Sequence, residues 1–126
     1  MFVNMDFALG GGSQINPVMV YKGAYDTNKS GVPIDDTATG WLSQDAGFIV
    51  GKTYAICYND MSDTTGQTQI SGGSIINEEF MDGGTVYSGV AVYSRLVFFV
   101  ADAKTITFTK SGSRNYVYAP MIIKID

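Results

Sequence analysis

Apolar and polar positions alternate most clearly between Thr85 and Thr109, a stretch that reads TVYSGVAVYSRLVFFVADAKTITFT. Val86, Val90 and Val92 fall on one face of an extended segment, interrupted at Ser88, and Tyr87, Gly89, Ala91 and Tyr93 fall on the other. Leu96 to Val100 then run without a polar residue. The run is too short to span a membrane and rich in strand-favouring types, so it predicts a strand covered on both faces. From Lys104 to Thr109 the alternation returns, with Ile106 and Phe108 opposed to Thr105, Thr107 and Thr109. This stretch predicts the centre of a β-sandwich, and the rest of the chain must be arranged to cover it.

Taken in order, Phe2 to Leu9 is apolar enough for an opening strand, and Gly10 to Gly12 then free the backbone. The triple glycine is either a tight loop within the fold or a hinge that lets the first residues reach a neighbouring subunit. Residues 1–16 are therefore read as an N-terminal strand or arm, and residues 17–126 as the sandwich domain. Pro17 to Tyr25 predicts a strand and Asp26 to Asp36 a turn region. A brief strand is expected over Gly47 to Val50. A longer one is expected over Thr53 to Asn59, where Tyr54, Ile56 and Tyr58 share a phase and Cys57, opposite to them, reads as a small buried side chain. Asn59 to Gly66 reads as a second acidic turn. Around Gly72 and Gly73 the pattern fits either two short strands with a tight turn or one strand broken by a bulge. Ile76 to Met81 is the one place that suggests a helical turn, stopped by Asp82, Gly83 and Gly84. Tyr116 to Ile125 predicts a last strand that ties the C-terminus into the fold, with Pro120 at an edge or a bulge. About eight to ten short strands separated by turn signals describe an all-β, antiparallel sandwich or small barrel, of which a jelly roll is one case.

A length of 126 residues corresponds to one domain, which at this size buries roughly two-thirds of the surface of its unfolded chain. Charged residues make up 16%, against about 25% in an ordinary domain. The surface is thus left to Ser, Thr, Asn, Gly and Tyr, a composition found where other subunits cover much of it and also in glycan-binding and secreted β-domains. A formal charge of −4 and scattered basic residues argue against nucleic acid or an anionic membrane as partner. There is one cysteine, Cys57, and no histidine. That excludes an intramolecular disulfide and a Cys/His zinc site, and removes the commonest general base with every Ser-His or Cys-His pair. The first residues lack the basic start and long apolar run of a secretory signal, so the expectation is synthesis in a cytosol and exit only by assembly or lysis.

Candidate chemistry is sparse, and no cofactor site is implied. Asp26, Asn28, Ser30 and Gly31 occupy the first, third, fifth and sixth positions of a calcium loop. The twelfth position, however, is Thr37, and the flanks read as strands. Asp35 and Asp36, or Asp60 and Asp63, would be further oxygen donors, while solvated turns explain the same residues. Gly51-Lys52-Thr53 is not a phosphate-binding loop, because position 46 is Ala46. Glu78 and Glu79 are adjacent, so they point away from each other and cannot flank one bond; a pair made with Asp82 or Asp102 is the remaining carboxylate option. For a sugar, Trp41, Tyr21 and Tyr25 are aromatic platforms and Asp26, Asn28, Asn59 and Asp60 hydrogen-bonding groups, with nothing in the sequence fixing their distances, and a structural anchor is the first reading of Trp41.

The segment from Val86 to Ile125 combines a tyrosine-bearing apolar strand pair, the Thr-Ile-Thr-Phe-Thr strand, a Ser-Gly-Ser turn and the YVYAPMIIKI ending. In this it resembles small β-sandwich proteins of tailed-phage virions: capsid decoration, head-fibre and tail modules. The resemblance implies a non-enzymatic virion subunit, made in the host cytoplasm, that forms trimers or larger symmetric assemblies with itself and with other virion proteins. It carries no catalytic residues over. On the assembly reading Phe2, Phe7 and Leu9 touch a neighbour together with part of a tyrosine face, Tyr54, Tyr58, Tyr87 and Tyr93. The alternative for those tyrosines is packing on the rim of their own domain. The alternative function is a carbohydrate- or host-receptor-binding module working through Trp41 and Tyr25.

Overall fold

Period-two alternation becomes strand pairing over most of the chain. The computed structural model describes residues 16–23, 26–27, 31–42, 46–62, 68–87, 90–109 and 116–126. Among them are nine strands: β1 Val18–Lys22, β2 Asp26–Thr27, β3 Val32–Ile34, β4 Thr53–Ser62, β5 Gln69–Ser71, β6 Gly73–Tyr87, β7 Val90–Ala101, β8 Ile106–Thr109 and β9 Tyr116–Lys124. No described residue is helical. The expected arm, residues 1–15, lies outside the described residues.

All pairings are antiparallel, in two sheets. The large sheet has the order β1-β9-β4-β7-β6, with β2 also paired to β9; the small sheet is β3-β8-β5. Leaving out the two-residue β2, strands one, eight, three and six face strands two, seven and four, which is jelly-roll connectivity. The fifth strand of that scheme is β6. Here it extends the large sheet as its edge instead of completing the small one.

Alternate residues of each strand meet in the core. Tyr54, Ile56 and Tyr58 on β4, Val97 and Phe99 on β7, and Ile106 and Phe108 on β8 are each at most 2% exposed. Each contributes about 1.5–3 kcal/mol by leaving water. Phe48 packs edge-to-face on Tyr54 and Trp41, at 5.0 and 5.2 Å between ring centres. The segment around it is a loop and not the strand expected over Gly47 to Val50. The Phe48 amide is held by the Lys104 carbonyl at 3.1 Å.

Three further expectations are corrected. The run from Leu96 to Val100 is covered on one face only: Val97 and Phe99 are buried, whereas Leu96, Phe98 and Val100 are half-buried, because the small sheet lies against just one side of the large one. The expected helical turn at Ile76 to Met81 is part of β6, paired with β7, and cross-strand bonding overrides the local preference. Asp82 to Gly84 do not end an element but form an irregularity within that ladder, where the register shifts between Asp82 and Thr85.

The two open alternatives resolve differently: two separate strands, β5 and β6, flank Gly72, whereas Pro120 lies at a bulge. At Gly72 and Gly73 the chain passes from the small sheet to the large one. Gly72 has φ +99°, and a side chain there would collide with the Thr105 carbonyl; one at Gly73 would collide with the Phe99 ring. Pro120 sits at a bulge in β9, an interior strand. Asn59 pairs with Tyr118 and Cys57 with Met121, so two residues oppose Tyr58, and Ala119 takes φ 53°. The chain's end is fastened to β4, with the Ile125 amide donating to the Thr53 carbonyl at 2.8 Å.

Candidate functional site: a polar cleft between the sheets

Because β5 belongs to one sheet and β6 to the other, the sandwich is open on that side. A cleft of about 360 Å3 lies there, walled by Tyr58, Thr68, Gln69, Ile70, Ile75, Glu78, Arg95 and Val97. Its inner wall is charged. Arg95 occupies the phase of β7 that also carries Val97 and Phe99, and Asp60 occupies the phase of β4 that carries Ile56 and Tyr58. Both therefore point inward, 6% and 0% exposed.

The Arg95 guanidinium is held from two sides. Nη1 is 3.9 Å from Asp60 Oδ2, and Nη2 pairs with Glu78 Oε1 on β6. Its carbon also lies 5.9 Å from the centre of the Tyr58 ring. Asp60 accepts the Thr68 hydroxyl at 2.8 Å and the Thr68 amide at 3.4 Å. Burial raises the Asp60 carboxyl above the usual range, while the Thr68 hydrogen bonds and the Arg95 charge act in the opposite sense. Burial likewise pushes the Tyr58 hydroxyl far above the ordinary phenol value, with Arg95 opposing. Two buried atoms of this wall, Tyr58 Oη and Arg95 Nε, have no hydrogen-bond partner among the described residues.

Of the residues singled out in the sequence, Glu78 and Tyr58 line the cleft, and Asp60 lies behind it as the ion-pair partner of Arg95, not as part of a turn: β4 continues to Ser62. Tyr54, Tyr58 and Tyr93 are 1%, 2% and 6% exposed within their own chain, so the expected interface through them is overturned. The physical reason is phase. The tyrosine phase of β4 faces the small sheet, which turns Cys57 outward to a half-exposed position instead of the buried one expected. The side chain of Tyr87 lies outside what is described, as do Phe2, Phe7, Leu9, Tyr25, Asn28 and Ser30 entirely. Asp26 is placed by its backbone alone, paired with Tyr118.

Trp41 has the contacts of an anchor. Its indole N–H donates to the Asp35 carbonyl at 2.6 Å, and its ring meets Tyr21 and Phe48 edge-on at 5.2 Å each. Tyr21 is fully buried and offers no platform. The Asp35 carboxylate closes its own turn, accepting the Thr37 amide at 2.9 Å and hydroxyl at 2.5 Å; these bonds hold it below the usual carboxylate range. Asn59 accepts the Ser94 hydroxyl at 3.1 Å, and Asp102 accepts that of Ser74 at 3.0 Å. Among the described residues no three acidic or Cys side chains converge as a metal site would require. Glu78 turns into the cleft and Glu79 to the opposite face, where it lines a shallow groove of about 340 Å3 with Cys57, Met81 and Leu96.

Fold and site together define a jelly-roll β-sandwich with a charged cleft at its open side. Compared with protein families, with curated proteins and with solved structures, the chain matches none.

Proposed function

We propose that the chain is a non-enzymatic structural subunit that acts by symmetric association with copies of itself, as a capsid-decorating or tail-associated component of a phage virion. The observation that carries this reading is the large sheet's uncovered side. Leu96, Phe98 and Val100 are only half-buried there. Beside them the edge strand β6 exposes Met81 at 71% and Ile76 at 62%. Exposed apolar side chains of this kind on a small domain are what a subunit interface offers to its partner. The low charge of the whole chain suits a surface that other subunits cover.

Edge-to-edge strand pairing is not the favoured mode. Glu78, Glu79 and Asp82 place three acidic side chains on β6, and its register shifts three times against β7; both features blunt an edge. Two copies therefore associate by packing side chains against the open sheet face. Light scattering of the purified chain over a dilution series tests this. A closed trimer or larger assembly that survives dilution is expected, and a monomer at every concentration would overturn it.

A further inference from the structure

We infer that the surface meeting the open sheet face is the turn at Ile49 and Val50 of the next copy, so that assembly runs from turn to groove. The inference rests on the self-association proposed above and names its two surfaces. Two open faces related by a twofold axis make a contact that stops at two copies, whereas a closed trimer or larger ring needs two different surfaces on each copy. The chain carries two such surfaces. One is the groove of about 340 Å3 on the outer side of the large sheet. Strand pairing builds it: Cys57 lies opposite Leu96 and Leu96 opposite Glu79, while in the next row of the same face Ser94 stands between Asn59 and Met81. Its volume is close to the lower limit of about 300 Å3 for ligand pockets. A groove so small and shallow takes the side chains of a turn and not a whole strand.

The other surface is the turn itself. The Ile49 carbonyl accepts the Lys52 amide at 3.1 Å, and Gly51, with φ 87°, takes the third position as a type II turn requires. Val50 stands at the tip, 62% exposed, with Ile49 beside it at 43%. Turn tips are ordinarily polar, so two exposed aliphatic side chains here ask for a partner. The backbone around them is already bonded. The Ile49 amide donates to the Tyr54 hydroxyl at 2.9 Å, the Gly51 amide to the Ala101 carbonyl at 2.9 Å, and the Ala101 amide to the Lys52 carbonyl at 3.0 Å. These groups enter a contact without losing a hydrogen bond, and a turn braced in this way gives up little freedom on docking.

Charge matches turn to groove. Among the described residues the ion pairs all use Arg95, so Glu79 in the groove and Lys52 beside the tip, both exposed, enter none. A Lys52 that follows Ile49 and Val50 into the groove meets Glu79 and fixes the orientation of the contact. The turn cannot fill the groove of its own chain. It is bonded to Ala101 and leads directly into Thr53 at the start of β4, and Cys57 lies about 13 Å further along that strand. The occupant of the groove is therefore the turn of another copy.

The test is a mixing experiment read by light scattering. Val50→Asp spoils the turn and leaves the groove; Met81→Lys spoils the groove and leaves the turn. Both side chains are exposed, so melting temperatures are expected to stay at the native value. Each variant alone is expected to raise the concentration at which the assembly dissociates at least about tenfold. Mixed in equal amounts, they are expected to form a dimer of one copy each, because one intact turn then faces one intact groove and the ring cannot continue. Exchanging the charges, Lys52→Glu with Glu79→Lys, is expected to restore an assembly that either change alone weakens. A Val50→Asp chain that assembles like the native one would overturn the turn as the second surface and leave self-association standing. Two monomeric variants that give no dimer on mixing would show a contact between like surfaces and would overturn it as well. A native chain that is monomeric at every concentration would overturn both readings together.

Discussion

At the scale of single residues, the feature with most at stake is the Asp60–Arg95–Glu78 cluster. Removing one partner of a buried ion pair leaves a charge without compensation and costs about 3–5 kcal/mol, whereas replacing the pair by apolar groups is often near neutral. Arg95→Met is therefore expected to lower the urea-unfolding free energy by about that amount, and Arg95→Met combined with Asp60→Leu to recover most of the loss. Additive losses would mean that the two charges do not act as a pair. A second prediction follows from the direction of the Asp60 shift. Its folded value lies above the ordinary 3.8, so its contribution to stability is fully present below pH 3.8 and is lost as pH rises through the folded value. Asp60→Asn does not titrate. The melting temperature of the native chain minus that of Asp60→Asn should accordingly shrink between acid and neutral pH. A constant difference would mean that Arg95 and Thr68 cancel the cost of burial.

At the scale of elements, the passage from β5 to β6 decides the architecture. Gly72 must take a positive φ and must pass the Thr105 carbonyl with no room for a Cβ. A left-handed residue with a side chain costs about 1–2 kcal/mol, and the collision adds to this. Gly23 provides the control: it has φ +57°, and a Cβ there would meet nothing within 4 Å. Gly72→Ala is expected to destabilise by more than about 2 kcal/mol and Gly23→Ala only by the backbone strain of about 1–2 kcal/mol, both read from urea unfolding. Equal losses would show that the close approach to Thr105 is relaxed at little cost. The cleft depends on the same passage, because it exists only where β6 has left the small sheet.

At the scale of the whole molecule, three strands cover one side of a six-stranded sheet, and no described strand covers the other. Self-association rests on that imbalance, so its variant belongs on the open side and away from the cleft. Met81 is 71% exposed and lines the outer groove beside Leu96. Met81→Lys places a charge at the interface core, where charged residues are depleted, and is expected to reduce the assembly to monomers without lowering the melting temperature. An assembly of unchanged mass would show that the outer groove is not the contact.

Alternation by itself determined the class of this protein. Strands such as Thr53 to Asn59 and Ile106 to Thr109 were legible because a period of two holds whatever covers them. The glycine pair and Pro120 likewise marked where ladders break, whereas the clusters read as turns at Asp26 to Asp36 and from Asn59 hold residues of β2, β3 and β4. Which phase faces inward was decided by tertiary structure alone. Both phases of β4 offer plausible core residues, and only the small sheet, packed against one of them, buries Tyr54 and Tyr58 and turns Cys57 out. The cleft was half legible. Asp60 continues the phase of Tyr54, Ile56 and Tyr58, and Arg95 the phase of Val97 and Phe99, so a charge in a core register was visible in each strand. That the two charges meet, and meet Glu78, depends on the pairing of β4, β7 and β6, and contacts between residues so distant in sequence are created only by the fold.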